Sequence, residues 1–72
     1  MLLRNSLRDT RLERQLTQER LAEMVGVTRQ TIIAVEKEKF VPSVRLALEL
    51  ARALGAPLDS LFWLAQSKGS GK

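Results

Sequence analysis

Arg29, Gln30, Ile33 and Lys37 are spaced so that one side of a helix carries all four. Their side chains have the chemistry that reads a base pair. A guanidinium donates two parallel bonds to a guanine edge, a carboxamide pairs with adenine, and a branched apolar group packs on a thymine methyl. Lys37, a flexible point charge, suits a phosphate.

Such groups work only if a rigid support presents them together. The run from Thr17 to Lys37, TQERLAEMVGVTRQTIIAVEK, supplies one. Thr17 is placed to cap a helix that Gln18 opens, and Leu21, Ala22 and Val25 give that helix an apolar face. Gly26 follows the last apolar position, where ending a helix calls for left-handed backbone. Val27 plugs the corner and Thr28 caps a second helix, whose Ile32 and Val35 return to the same core. Ala22 sits where the two helices cross. This is the layout of a helix-turn-helix.

Composition limits the alternatives. The 72 residues contain no Cys and no His, which removes disulfides, thiolate zinc sites and the commonest general bases, so neither an enzyme nor a bound cofactor or metal is expected. Asp9 with Glu13, and Glu19 with Glu23, are carboxylate pairs at helical spacing, explained as solvated faces beside neighbouring cations. A net charge of +4 and a pI near 10.4 suit a polyanion, though they are weak indicators alone. One Trp and two Phe make no stacking platform for single strands, so duplex DNA is the better partner. Met1-Leu2-Leu3 is followed at once by Arg4, and no apolar run approaches the roughly 20 residues that span a bilayer, so a cytoplasmic protein is expected.

The rest of the chain reads as support. A first helix over residues 4–15 turns Leu3, Leu7 and Leu12 inward and Arg4, Arg8 and Arg14 outward; Arg4 and Arg8 read as solvated, Arg14 as a phosphate contact. Ser43 caps a fourth helix, Val44 to Leu54, with Leu46, Ala47, Leu50 and Leu54 as its stripe, Ala51 and Leu48 beside it, and Gly55 at its end. Ser43 and Arg45 also lie where a helix start favours phosphate. Phe40 reads as a core plug. Pro57 opens a short fifth helix carrying Leu58, Leu61 and Phe62 inward. A helix cannot bury Leu61 through Leu64 on one face, so Trp63 and Leu64 are expected to stay exposed and to form a dimer interface. No strand pattern and no repeat is evident. Residues 1–66 are read as one domain and Ser67–Lys72 as a flexible tail.

Gln18, Leu21, Ala22, Val25, Gly26, Val27, Ile32 and Val35 match, in type and spacing, the helix-turn-helix of the Cro and phage-repressor type, the Xre family. The resemblance extends to Arg11, Glu36, Pro42, the LALELARALG run and LDSLF, and so covers roughly residues 3 to 64. It implies an all-α, compact five-helix domain of the lambda-repressor kind. It also implies an ion pair between Arg11 and Glu36, a backbone contact by Lys39, and a place near the bases for Ala34. One departure stands out. The family usually has Asn-Gly where this chain has Lys37-Glu38, so either a residue there takes positive φ at some strain or the helix runs further.

The function expected on these grounds is that of a small transcriptional regulator, a repressor, reading double-stranded DNA with the helix at about 28–37 in the major groove. Arg29, Gln30, Ile33 and Ala34 face bases, while Gln18, Thr28, Arg14, Lys37, Lys39 and Ser43 hold phosphates. A module this small buries only about 60% of its unfolded surface, so a homodimer on a palindromic operator is expected. The alternative is an antitoxin or adaptor that uses the same fold to bind a protein partner.

Overall fold

The computed structural model describes residues 1–66. The chain order is β1 (Leu2–Asn5), α1 (Leu7–Glu13), α2 (Gln18–Val25), α3 (Arg29–Glu36), α4 (Val44–Leu54), α5 (Leu58–Leu61) and β2 (Phe62–Ala65). The expected tail, Ser67–Lys72, lies outside the described residues.

Side-chain hydroxyls start three of the helices. Thr17, Thr28 and Ser43 accept the backbone N–H groups of Arg20, Thr31 and Leu46 at 2.9, 3.2 and 3.0 Å, each occupying a donor that the helix itself leaves free. Four helices end in left-handed backbone. Gly26 (φ 77°) and Gly55 (φ 63°) do so as the sequence predicts. Gln15 (φ 59°) and Glu38 (φ 62°) do so with a Cβ in place. In every case the next residue's N–H reaches back to close the last turn: Leu16 to Arg11, Val27 to Ala22, Lys39 to Ala34 and Ala56 to Ala51, at 2.9–3.1 Å.

The helices bury one core built from Leu7, Leu21, Ala22, Ile32, Val35, Leu46, Leu50, Ala51, Leu54, Leu61 and Phe62. Ile32 and Val35 are sealed, and Ala22 is buried between them and the rest of α2, as the spacing predicts. Leu12, Phe40 and Leu58 depart from expectation. All three are exposed; Phe40 in particular retains 47% of its surface and does not plug the core.

The N-terminal helix starts later than predicted. Arg4 and Asn5 belong to β1, and α1 begins at Leu7, whose N–H donates to Asn5 Oδ1 at 3.0 Å. β1 pairs antiparallel with β2 in the register Leu2↔Ala65, Leu3↔Leu64, Arg4↔Trp63, Asn5↔Phe62, so a small two-stranded sheet joins the five helices. Two strands alone are marginal in water; this pair is held because Phe62 is buried and Leu3 packs against the core. Opposed residues share a face, which puts Asn5 and Phe62 on the core side and Arg4 and Trp63 on the other. Trp63 and Leu64 are exposed, but on β2 rather than on the edge of the fifth helix.

Candidate nucleic-acid interface

The turn at Gly26 sets α2 and α3 against each other through Leu21, Ala22, Ile32 and Val35, so the remaining face of α3 is presented outward. Arg29 and Gln30 are exposed in its first turn, and Ile33 and Ala34 are half-buried beside them. Thr28 and Lys37, at the two ends of α3, are exposed, as are Lys39 and Ser43 in the segment leading to α4. The four expected base readers thus share the unpacked side of one helix, and four of the expected phosphate contacts lie at its ends or beyond.

A chain of polar contacts runs beneath this surface. Arg11 Nε donates to Glu36 Oε2 at 2.7 Å, its Nη2 to Glu36 Oε1 at 3.3 Å, and its Nη1 to the Leu16 carbonyl at 2.9 Å. The ion pair is closed from solvent, with 7% of the Arg11 side chain and 3% of the Glu36 side chain exposed. Gln18 Nε2 donates to the same Glu36 Oε1 at 3.1 Å, and Gln18 Oε1 accepts from Arg29 Nε at 3.4 Å. The contact to Gln18 uses Nε and leaves the outer edge of the Arg29 guanidinium open. Among the described residues no buried side-chain polar atom lacks a partner, which a buried ion pair requires if it is not to weaken the fold.

Charge is distributed unevenly. Arg4, Arg11, Arg14, Arg20 and Arg45 each lie within 4.0 Å of a carboxylate. Among the described residues, Arg8, Arg29, Lys37, Lys39 and Arg52 do not, and three of these five flank or lie on α3. Arg8, which reads as a solvated residue in the sequence, opens on the same cleft as Arg29. That cleft, of about 500 Å³, is lined by Arg8, Arg11, Thr17, Gln18, Glu19 and Arg29 at the start of α2. Only tertiary structure could reveal this, because Arg8 sits on α1 and nothing in the local pattern singles it out. Arg14 is drawn elsewhere: its Nε donates to the Leu54 carbonyl at 2.9 Å, completing the end of α4, and no contact joins it to the Arg29 network.

The last turn of α3 is held from the N-terminal segment at three points. Besides the Arg11 contact to Glu36, Asn5 Nδ2 donates to the Val35 carbonyl at 2.9 Å and Arg4 Nε to Glu38 Oε2 at 2.7 Å. The reading face is therefore a helix fixed at its base by α2 and at its far end by β1 and α1.

Known proteins share this arrangement. The helix-turn-helix family model matches residues 7–61. Over 53 residues the chain is 60% identical to an HTH-type transcriptional regulator of Methanothermobacter thermautotrophicus, covering 74% of this chain and 77% of that one. It is 41% identical over 64 residues to the HTH-type transcriptional regulator YgzD of Bacillus subtilis, covering 89% of this chain and 97% of its relative. Among solved structures, the restriction-modification controller protein C.AhdI from Aeromonas hydrophila superposes with a TM-score of 0.73 at 36% identity, over 78% of this chain and 81% of that one. With α2, the Gly26 turn and α3 arranged as described, the chain belongs to the Xre-type helix-turn-helix family of DNA-binding regulators.

Proposed function

We propose that this protein represses transcription in the cytoplasm by laying α3 in the major groove of a palindromic operator as a homodimer. The observation that carries this reading is the exposure of Arg29 and Gln30, side by side, on the one face of α3 that no other element covers. Arg29 reads guanine, Gln30 adenine, and Ile33 and Ala34 present apolar surface to thymine methyls. Gln18, Thr28, Lys37, Lys39 and Ser43 hold the phosphates on either side and so set the register in which the readers work.

One copy of so small a module buries roughly 600–1,000 Å² on DNA, too little for tight single-site occupancy. Two copies on a twofold axis reach half-sites about 34 Å apart. Sequence reasoning put their contact at Trp63 and Leu64. A second exposed apolar group lies on the loop after α3 and on α4, comprising Phe40, Val41, Val44 and Leu48. It borders Lys39 and Ser43, and we place the dimer contact there.

Selection from a random duplex library tests the whole reading. The expected result is an inverted repeat whose half-sites contain a guanine and a neighbouring adenine. A library that yields no preferred sequence, with a stoichiometric protein recovered instead, would point to the adaptor role.

A further inference from the structure

Glu38 occupies the helix-end position that glycine fills after α2 and α4. Its φ of 62° matches that of Gly55 and approaches the 77° of Gly26, and left-handed backbone is unfavourable for a residue with a Cβ. Glycine would end α3 with less strain. The gain that accompanies the glutamate is a single contact, the 2.7 Å bond from Arg4 Nε to Glu38 Oε2. That bridge is half open to water, with 51% of the Arg4 side chain and 34% of the Glu38 side chain exposed. Exposed ion pairs add little stability, so stability does not account for a strained residue here. Gln15 carries the same strain; what sets Glu38 apart is that its strained backbone comes with a side-chain bond to Arg4 of another element, at the end of the outward-facing helix.

The surroundings indicate which function. Glu38 N–H bonds to the Val35 carbonyl at 3.0 Å and Lys39 N–H to the Ala34 carbonyl at 2.9 Å. The conformation of Glu38 therefore sets both the closing turn of α3 and the direction in which Lys39 leaves it. Arg4 belongs to β1, next to Asn5, which itself donates to Val35. The strand and the end of the helix are thus joined by a backbone contact and a charge contact within two consecutive residues of β1.

We propose that Glu38 is a positioning residue for DNA reading: through Arg4 it tethers the end of α3 to the β1–β2 sheet and fixes the tilt of the helix and the placement of Lys39 against the duplex. Neither Arg4 nor Glu38 needs to touch DNA for this. The inference rests on the base-reading role of α3 proposed above.

The experiment compares the full chain with Glu38→Gly, Arg4→Ala and the exchange Arg4→Glu with Glu38→Arg. Thermal unfolding is measured together with the ratio of affinities for the selected operator and a random duplex. Glu38→Gly is expected to unfold at a higher temperature than the parent and yet to lose roughly five-fold in that ratio. Arg4→Ala is expected to lose a similar factor with little change in unfolding temperature. The two variants change net charge in opposite directions, so an effect of charge alone would move them apart, whereas loss of the tether moves them together. The exchanged pair is expected to recover most of the ratio. An unchanged or improved ratio in Glu38→Gly, with Arg29→Ala still losing its base preference, would overturn the tether and leave the reading helix standing. A parent chain that prefers no sequence would overturn base reading and the tether with it.

Discussion

Arg11 and Glu36 meet at 2.7 Å although 25 residues separate them, and both are shut away from water. The pair joins α1, the first helix, to the last residue of α3, the helix proposed to read DNA. A second link, through Gln18, carries the contact to Arg29 at the opposite end of α3. The ion pair thus connects the far end of α3, through Gln18, to Arg29 in its first turn.

Removing one partner strands the other charge. Arg11→Ala or Glu36→Ala is expected to destabilise the domain by about 3–5 kcal/mol, a large share of what a domain of this size possesses. The double substitution Arg11→Met with Glu36→Leu is expected to recover most of that loss in urea denaturation, because it removes both desolvated charges together. A double variant no more stable than the single ones would show that the bonds to Leu16 and Gln18, rather than the charge pair, carry the effect.

Readers and clamps separate on a salt titration. Arg29→Ala is expected to relax preference at one base pair by about 1–3 kcal/mol while leaving affinity for random duplex nearly intact. Lys39→Ala is expected to weaken every sequence alike and to reduce the salt slope by about one unit. Equal weakening of operator and random DNA by Arg29→Ala would remove it from the reading set.

The dimer contact is tested by mass. Val44 is 74% exposed and sits one turn from Leu48 on the outer side of α4, so Val44→Glu buries a charge in the assembly but costs the monomer almost nothing. Light scattering is expected to report a monomer for Val44→Glu and an unchanged dimer for Trp63→Ala. The reverse pair of results would return the interface to the sheet edge.

Gln15 provides a control for strain without function. It has φ 59° and is exposed, at the end of α1. Gln15→Gly is expected to raise stability by about 1 kcal/mol with no change in operator preference, measured by thermal unfolding and binding on the same samples.

Much of this was legible because the helix-turn-helix is written in local signals: hydroxyl caps, a glycine stop and apolar spacing that closes on one core. Gly26 and Gly55 announced their turns. Gln15 and Glu38 make the same turn with side chains that give no such notice, so the end of the first helix was misplaced and the end of α3 left open between two courses. The sheet went unseen for a different reason. Leu2–Asn5 and Phe62–Ala65 are each four residues long, too short to show alternation, and what makes them strands is each other. Phe40 reads as a core plug in the sequence, yet Leu46, Leu50, Leu54 and Leu61 occupy the core and Phe40 stays 47% exposed. The Arg8 side of the cleft was missed because only the packing of α1 against α2 brings it to Arg29.

Leu2 lies opposite Ala65, so the strand ahead of α1 is clasped by the strand that follows α5. During synthesis, α3 emerges before the segment that completes the clasp, and until Phe62 arrives β1 has no partner strand and is tied to α3 only through Asn5 and Arg4. A partly made chain therefore carries α3 before the sheet beside its far end is complete.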